Sequence, residues 1–336
     1  MTIKDLAAIT GYAVGTVSRA LNDHPNVSDK ARKVILQAAE ESGFQLNVNA
    51  KQLKQTHSNS ILVIVKGTGN ELFAEMLEYI QNLIAKTRYQ LVVDYNDEEE
   101  NEVIRAVQLC REKKPLGLLF LGGNSKNFAR DFDKIDIPAV LVTNDASALR
   151  FKKLSSVCTD DAAAAQCAIE TLIALGHRKI AVIGGDRNNS DTSCLRFEGC
   201  MRAFQAQGIP FDQERDYQGV RYSYRDGYRA VQALLKAGSQ FTAIFACADV
   251  MAIGAMRALQ EAGLRVPEDV SVMGVDGLPL CAFLTPQLSG VCQSIRGIAL
   301  RSVEILLDAV ENGMTARHET VPFQVQQRES IRAISK

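Results

Sequence analysis

The sequence predicts a small all-α head of about forty-five residues, followed by an α/β body built from two doubly wound, mostly parallel sheets. Three observations carry this reading. Apolar residues recur at helical spacing through the first forty residues or so. From Ser60 onward, short β-branched runs alternate with amphipathic helical stretches, the rhythm of parallel sheets covered on both faces. That rhythm runs once to about Asn144 and starts again near Val157, giving two lobes. At 336 residues and 46% hydrophobic content, the chain can bury two or three cores.

In the head, Thr2 and Asp5 have the spacing of a capping box, and Leu6, Ala7 and Ile9 give the first helix an apolar side. Gly11 closes it, because glycine accepts φ > 0 without steric cost, and a second helix is expected from about Val14 to Leu21. Two short helices hinged at a glycine read as a helix-turn-helix, which sets its second helix in a DNA major groove. Thr16, Ser18 and Asn22 are short donors suited to phosphate oxygens, and Arg19 offers a fork matched to guanine O6 and N7. Val14 and Gly15 stand at the helix start, where base edges are met by apolar contact or close backbone approach. The same residues also read as an amphipathic helix in a small bundle.

Ser28 can cap a third helix whose Ala31, Val34, Ile35, Ala38 and Ala39 share one side, and Gly43 ends it. The polar segment NVNAKQLKQTHSNS follows, with Asn47, Ala50 and Leu53 at helical spacing beside Lys51 and Lys54. A helix of about two turns is marginal alone, so this segment is expected to order only when something holds it.

The string TIKDLAAITGYAVGTVSRALN, followed by NVSDKAR, EESGF and N-x-x-A-x-x-L, resembles the lactose-repressor (LacI/GalR) family of bacterial transcription regulators. The resemblance implies a homodimer whose heads read a pseudo-palindromic operator in double-stranded DNA. It also implies a hinge helix with Leu53 as a minor-groove wedge and Ala50 as its groove-facing neighbour. Thr2, Ile3, Asn26 and Ser28 match family positions that touch phosphate or bases. Ala13 departs from the family's usual serine, which puts the cap of the second helix in doubt. The boundaries that follow are 1–45 for the head, 46–58 for the hinge and linker, and 59–336 for the body.

Net charge is −1, but residues 1–57 hold seven Lys/Arg against five Asp/Glu, a weak basic footprint that two heads acting together would have to reinforce. Eight cysteines without a CxxC pair, mostly in apolar patterns, read as reduced thiols rather than a metal site or disulfide framework. The absence of an N-terminal apolar leader and of any bilayer-length apolar run points to the cytoplasm and away from a membrane. No leucine-heptad tail follows the last strand, so a dimer is expected rather than a tetramer.

In the body, ILVIVKG, QLVVDYN, LGLLFLGG and IPAVLVTN are strand-like in the first series, with a helix over 72–87. KIAVIGG, TAIFACA and VSVMGVDG are strand-like in the second, between helical stretches. GHRKIAVIGG, R-x-E-G-x-x-x-A and ALQEAGLRVPEDVSVMGVDG resemble the effector domain of the same family, which is similar to type I periplasmic binding proteins. The resemblance implies crossings between lobes: lobe 1 at about 59–156 and 292–320, including a helix from Ile295 to Val310, and lobe 2 at about 157–291 and 321–336.

Between the carboxyl ends of two such sheets a small-molecule cleft is expected. The resemblance places an effector, a sugar or related metabolite, against Arg196, Asp276 and Tyr222. Phe73, Asp160, Asp191, Thr192, Asp249 and Gln293 are expected at strand ends or loops around it. Each has a structural reading too: Arg196 as an exposed helix arginine, Phe73 as core, Asp160 as an N-cap. Ala248-Asp249 stands where relatives have Asn-Asp, Asp276-Gly277 where they often have Asp-Asp or Asp-Asn, and VKGTGNELF lacks a common proline. Such a cleft would suit a less hydroxylated effector, a protein partner or none.

Parts of the sequence also fit two other classes. Gly67-Thr68-Gly69 with Asp94 suggests a dinucleotide fold, but Leu72 replaces the third glycine, Glu71 would repel a pyrophosphate, and His24, His57, His177 and His318 fall outside any catalytic pattern. No enzyme and no cofactor is therefore expected. A transport-type binding protein would lack the head.

Overall fold

The computed structural model describes residues 2–21, 25–43, 58–67, 69–313 and 315–334, in two compact units, Met1–Ser58 and Asn59–Lys336. The first unit holds α1 (Ile3–Thr10), α2 (Val14–Leu21) and α3 (Asp29–Glu41). Thr2 and Asp5 form the capping box, the Asp5 carboxylate accepting the Thr2 N–H at 2.7 Å and Thr2 Oγ1 accepting the Asp5 N–H at 3.4 Å. Gly11, at φ 69°, lets the chain leave α1 and reverse. Ser28 Oγ caps α3 through the Ala31 N–H. Leu6, Val17, Ala20, Ala31, Ile35 and Ala39 close the core. Ile9 and Val34, expected on the apolar sides, are 60% and 41% exposed. Three short helices meet along one narrow seam, so residues flanking that stripe stay in water.

The second unit contains two six-stranded sheets. In lobe 1, β1 (Ser60–Lys66), β2 (Gln90–Asn96), β3 (Gly117–Leu121), β4 (Ala139–Val142), β5 (Leu154–Cys158) and β11 (His318–Thr320) lie in the order β11-β5-β4-β3-β1-β2, all parallel. In lobe 2, β6 (Ile180–Gly184), β7 (Tyr217–Gly219), β8 (Ala243–Ala246), β9 (Ser271–Asp276), β10 (Ser289–Cys292) and β12 (Gln324–Gln326) lie in the order β12-β10-β9-β8-β6-β7, parallel but for β12.

Helices cover both faces of each sheet. In lobe 1, α4 (Glu71–Ile84) and α12 (Ile295–Asn312) pack on the face carrying Ile61, Val63, Leu119 and Leu121. On the other face, α5 (Glu102–Lys113) and α6 (Ser125–Asp131) cover Leu62, Ile64, Leu118 and Phe120. In lobe 2, α7 (Asp161–Ala174) and α8 (Asp191–Ala206) lie on one face, and α10 (Tyr224–Lys236) with α11 (Asp249–Glu261) on the other; the short α9 (Gln213–Asp216) leads into β7. Burial on two faces is why the central strands read as unbroken apolar runs.

The chain crosses between lobes after Cys158, after Cys292, and between β11 and β12. The first crossing falls two residues beyond the expected boundary. LSSVC carries two serines and lacks the apolar continuity that marks the other strands; Ser155 and Ser156 are nevertheless buried, their hydroxyls engaging the Arg317 amide and His318 Nδ1.

Candidate functional site

In the head, Val17 and Ala20 of α2 turn inward, which leaves Val14, Gly15 and Arg19 exposed and Thr16 and Ser18 half-buried. Arg19 Nε donates to the Gly15 carbonyl at 3.1 Å, so the guanidinium lies back along its own helix. Thr2, Asn26 and Ser28 are exposed and Ile3 packs at the core's edge. Ala13 contributes its carbonyl to the Thr16 and Val17 amides but has no side-chain oxygen to cap with. Asn22, Ala50, Leu53 and the hinge segment through His57 lie outside the described residues.

In the second unit, the carboxyl ends of the two sheets face a cavity of about 420 Å³. It has the size of a small-ligand site. Lys66, Gly122 and Thr143 line it from the ends of β1, β3 and β4, and Gly185, Ala248 and Asp276 from the ends of β6, β8 and β9.

Its floor is a buried charge cluster. Gly199 lets α8 approach α7 so closely that a Cβ there would lie 2.1 Å from the Ala162 carbonyl oxygen. One turn earlier on α8, Arg196 therefore meets the start of α7, and its Nε donates to Asp161 Oδ1 at 2.7 Å. Its Nη1 donates to the Cys247 carbonyl, and Nη2 lies 3.7 Å from Asp276 Oδ1. Arg196 is 4% exposed, so it is not a solvated helix arginine. Burial opposes the charge on Arg196, but Asp161 and Asp276 outweigh it and hold the guanidinium protonated.

Asp276 sits at φ 124°, left-handed backbone that costs a non-glycine residue about 1–3 kcal/mol. Its carbonyl accepts from the Gln293 amide at 3.0 Å and its Oδ1 from Gln293 Nε2 at 2.8 Å. Gln293 Oε1 in turn accepts from Thr159 Oγ1 at 3.0 Å, a bond that joins two of the inter-lobe crossings. Burial pushes the Asp276 carboxyl up to about 7, with Arg196 pulling it back and Asp249 pushing further.

Of the expected effector residues, Phe73, Thr192, Arg196, Tyr222, Asp276 and Gln293 line the cleft. Phe73 is also core, its ring edge filling the space beside Gly122. Tyr222 Oη and Ser193 Oγ are hydrogen-bonded at 2.9 Å. Three aspartates are placed otherwise. Asp160 is exposed and caps α7 through the Ala163 N–H at 2.9 Å. Asp249 turns under β9, accepting the Gly277 and Leu278 N–H groups at 2.7 and 2.8 Å. Asp191 spans the lobes, accepting the Ser125 N–H and hydroxyl at 2.8 and 2.9 Å. Gly277 does not line the cavity either; at φ 82°, with Cys292 2.6 Å from where a Cβ would be, glycine is what the turn requires.

The cleft also uses residues the sequence reading did not single out: Lys66, Asn70, Glu98, Glu99, Asn144, Asp186 and Arg221. All sit at or just beyond carboxyl ends of strands or at a helix start, the one local signal that could have marked them. Further bonds join the lobes: Arg221 pairs with Glu99, Tyr224 Oη donates to Glu71, and Lys126 Nζ donates to the Asn188 carbonyl at 2.7 Å.

A helix-turn-helix head followed by two sheets around a polar, buried-charge cleft defines a class of protein that couples DNA reading to a ligand site. Family models place it further. The model for bacterial regulatory proteins of the lacI family matches residues 2–47, and that for a periplasmic binding protein-like domain matches residues 169–331. The HTH-type transcriptional regulator MalR of Clostridium butyricum is 33% identical, covering 98% of this chain and 99% of its own. The ribose operon repressor of Haemophilus influenzae is 30% identical, over 93% and 92%. The chain belongs to the LacI family of bacterial regulators. Its fold is that of the lac repressor dimer bound to operator and the anti-inducer ONPF (TM-score 0.79, 24% identity, 99% of both chains). It is also that of the transcriptional regulator CelR in complex with cellobiose (TM-score 0.73, 24% identity, 98% and 99%). Among the described residues, no helix is long and apolar enough to cross a membrane.

Proposed function

We propose that this chain is a sequence-specific DNA-binding repressor whose operator affinity is controlled by a small molecule, a sugar or related metabolite, held between its lobes. The observation that carries this is one chain in which Arg196, Asp276 and Gln293 converge, buried, on a cleft, while a helix-turn-helix presents Val14, Gly15 and Arg19 to solvent. Two protomers, paired through their α/β units, would place two heads on a pseudo-palindromic operator, with Ala50 and Leu53 at the minor groove between them. Effector binding shifts the angle between the lobes and with it the separation of the paired hinges. The coupling is of order 1–3 kcal/mol, about 5- to 150-fold in DNA affinity.

We read no catalytic role in the one Ser-His-Asp grouping seen among the described residues. The buried Ser156 hydroxyl lies between Asp145 and His318 Nδ1, at 3.1 and 2.8 Å, so the carboxylate meets the hydroxyl and not the imidazole.

The test is fluorescence anisotropy on operator selected from random duplexes. The full chain should bind and respond to an effector, and a chain lacking residues 1–57 should lose DNA binding while keeping the effector response. Operator binding retained by the truncated chain would overturn the assignment.

A further inference from the structure

The cleft's electrostatics narrow the chemistry of what it takes. Four acids line it, Glu98, Glu99, Asp186 and Asp276, of which burial raises Glu98 and Asp276 toward the neutral form, against three cations, Lys66, Arg196 and Arg221. Each cation already has a carboxylate. Lys66 Nζ lies 2.7 Å from Glu102, whose side chain is fully buried, Arg196 lies between Asp161 and Asp276, and Arg221 pairs with Glu99.

Most of the other source of positive potential is committed as well, although α12, which starts just beyond the cleft residue Gln293, has no acid in its first turn. α4, α7, α8 and α11 all start at the cleft or behind its floor, and each has an acid as its first helical residue: Glu71, Asp161, Asp191 and Asp249. The partial positive charge of those helix ends is answered from within the chain, where an anionic ligand would otherwise sit.

What remains is suited to neutral groups. Asn70, whose Oδ1 caps α4, and Asn144 and Thr192, which bond to each other at 3.4 Å, keep further donors and acceptors, while Phe73, Val220 and Leu278 supply apolar surface. We propose that the cleft excludes anions, so that its effector is an uncharged polar molecule carrying neither phosphate nor carboxylate. The inference rests on the proposed effector-sensing role of this cleft.

The experiment measures thermal stabilisation of the full chain by matched sets: glucose with glucose 6-phosphate and glucuronate, galactose with galacturonate, ribose with ribose 5-phosphate, and the neutral disaccharides maltose and cellobiose. Val220→Trp, which fills the cavity, reports whether a shift arises in the cleft. The expected result is a neutral compound that binds in the cleft, with each anionic sibling at least about tenfold weaker, as a like-charge contact requires. Glu99→Gln, which removes the carboxylate bonded to Arg221 and leaves only the more distant influence of Glu98, should narrow that gap severalfold; a gap unchanged by it would count against the electrostatic cause. A cleft-dependent shift by a phosphorylated or carboxylated sugar, stronger than by its neutral parent, overturns the proposal and leaves the sensing role standing. No cleft-dependent shift by any compound removes both.

Discussion

Asp161 Oδ1 stands 2.7 Å from Arg196 Nε, with the two side chains 6% and 4% exposed. The pair ties the first turn of α7 to α8 directly beneath the cleft. A buried charge without its partner is costly, so Asp161→Ala should lower stability by about 3–5 kcal/mol. Urea denaturation of the full chain checks it; a loss under 1 kcal/mol would mean that water reaches the guanidinium.

Asp249 and Asp276 lie at neighbouring strand and helix ends but have different neighbours. Asp249 braces the Gly277-Leu278 turn, so Asp249→Ala should cost about 1–3 kcal/mol for two backbone donors left unpaired. Asp276→Ala should act chiefly on effector affinity, because Asp276 faces the cavity. Comparing Tm with effector Kd for both variants separates the roles, and equal effects on Kd would return Asp249 to the binding set.

The raised Asp276 carboxyl sets a pH dependence of known sign. Its folded pKa, about 7, lies above the ordinary carboxylate value, so the folded state holds the proton more tightly than the unfolded state. Its cost is absent below the ordinary value, grows as pH rises toward 7, and is constant beyond. Wild-type stability measured against Asp276→Asn should therefore fall between pH 4 and 7 and then level. A difference that rises over that range would contradict the placement of this carboxyl.

Asp191 holds Ser125 across the cleft while half-buried. Asp191→Ala should leave Tm nearly unchanged, since partly exposed polar contacts contribute about 0–1 kcal/mol. It should shift the lobes toward separation, seen as a larger radius of gyration by small-angle scattering without effector. Identical scattering curves would show that the remaining inter-lobe bonds suffice.

In the head, Leu6→Ala should cost that unit about 2–5 kcal/mol, Leu6 being fully buried among three helices. Arg19→Ala removes an exposed side chain and should leave the head's stability intact while weakening operator binding. If DNA affinity is unchanged, Arg19 keeps its bond to Gly15 in the complex and reads nothing.

The sequence by itself determined what local chemistry controls. The Thr2-Asp5 box, the Gly11 break, the Ser28 cap and the two-face-buried strands each depend on residues a few positions apart, and all were legible as pattern. The tertiary structure decided which of several similar residues does what. Asp160, Asp191, Asp249 and Asp276 all stand where a strand gives way to a helix or turn, and sequence position makes them equal candidates. Only the packing of α8 on α7 through Gly199, and the crossings at Thr159 and Gln293, make one a helix cap, one an inter-lobe tie, one a turn brace and one a cleft wall. The same holds for Lys66, Glu99 and Arg221, whose partners lie tens of residues away or more. A carboxylate's role is set by the donors within about 3 Å of it, and those are assigned by long-range packing, not by neighbours in sequence.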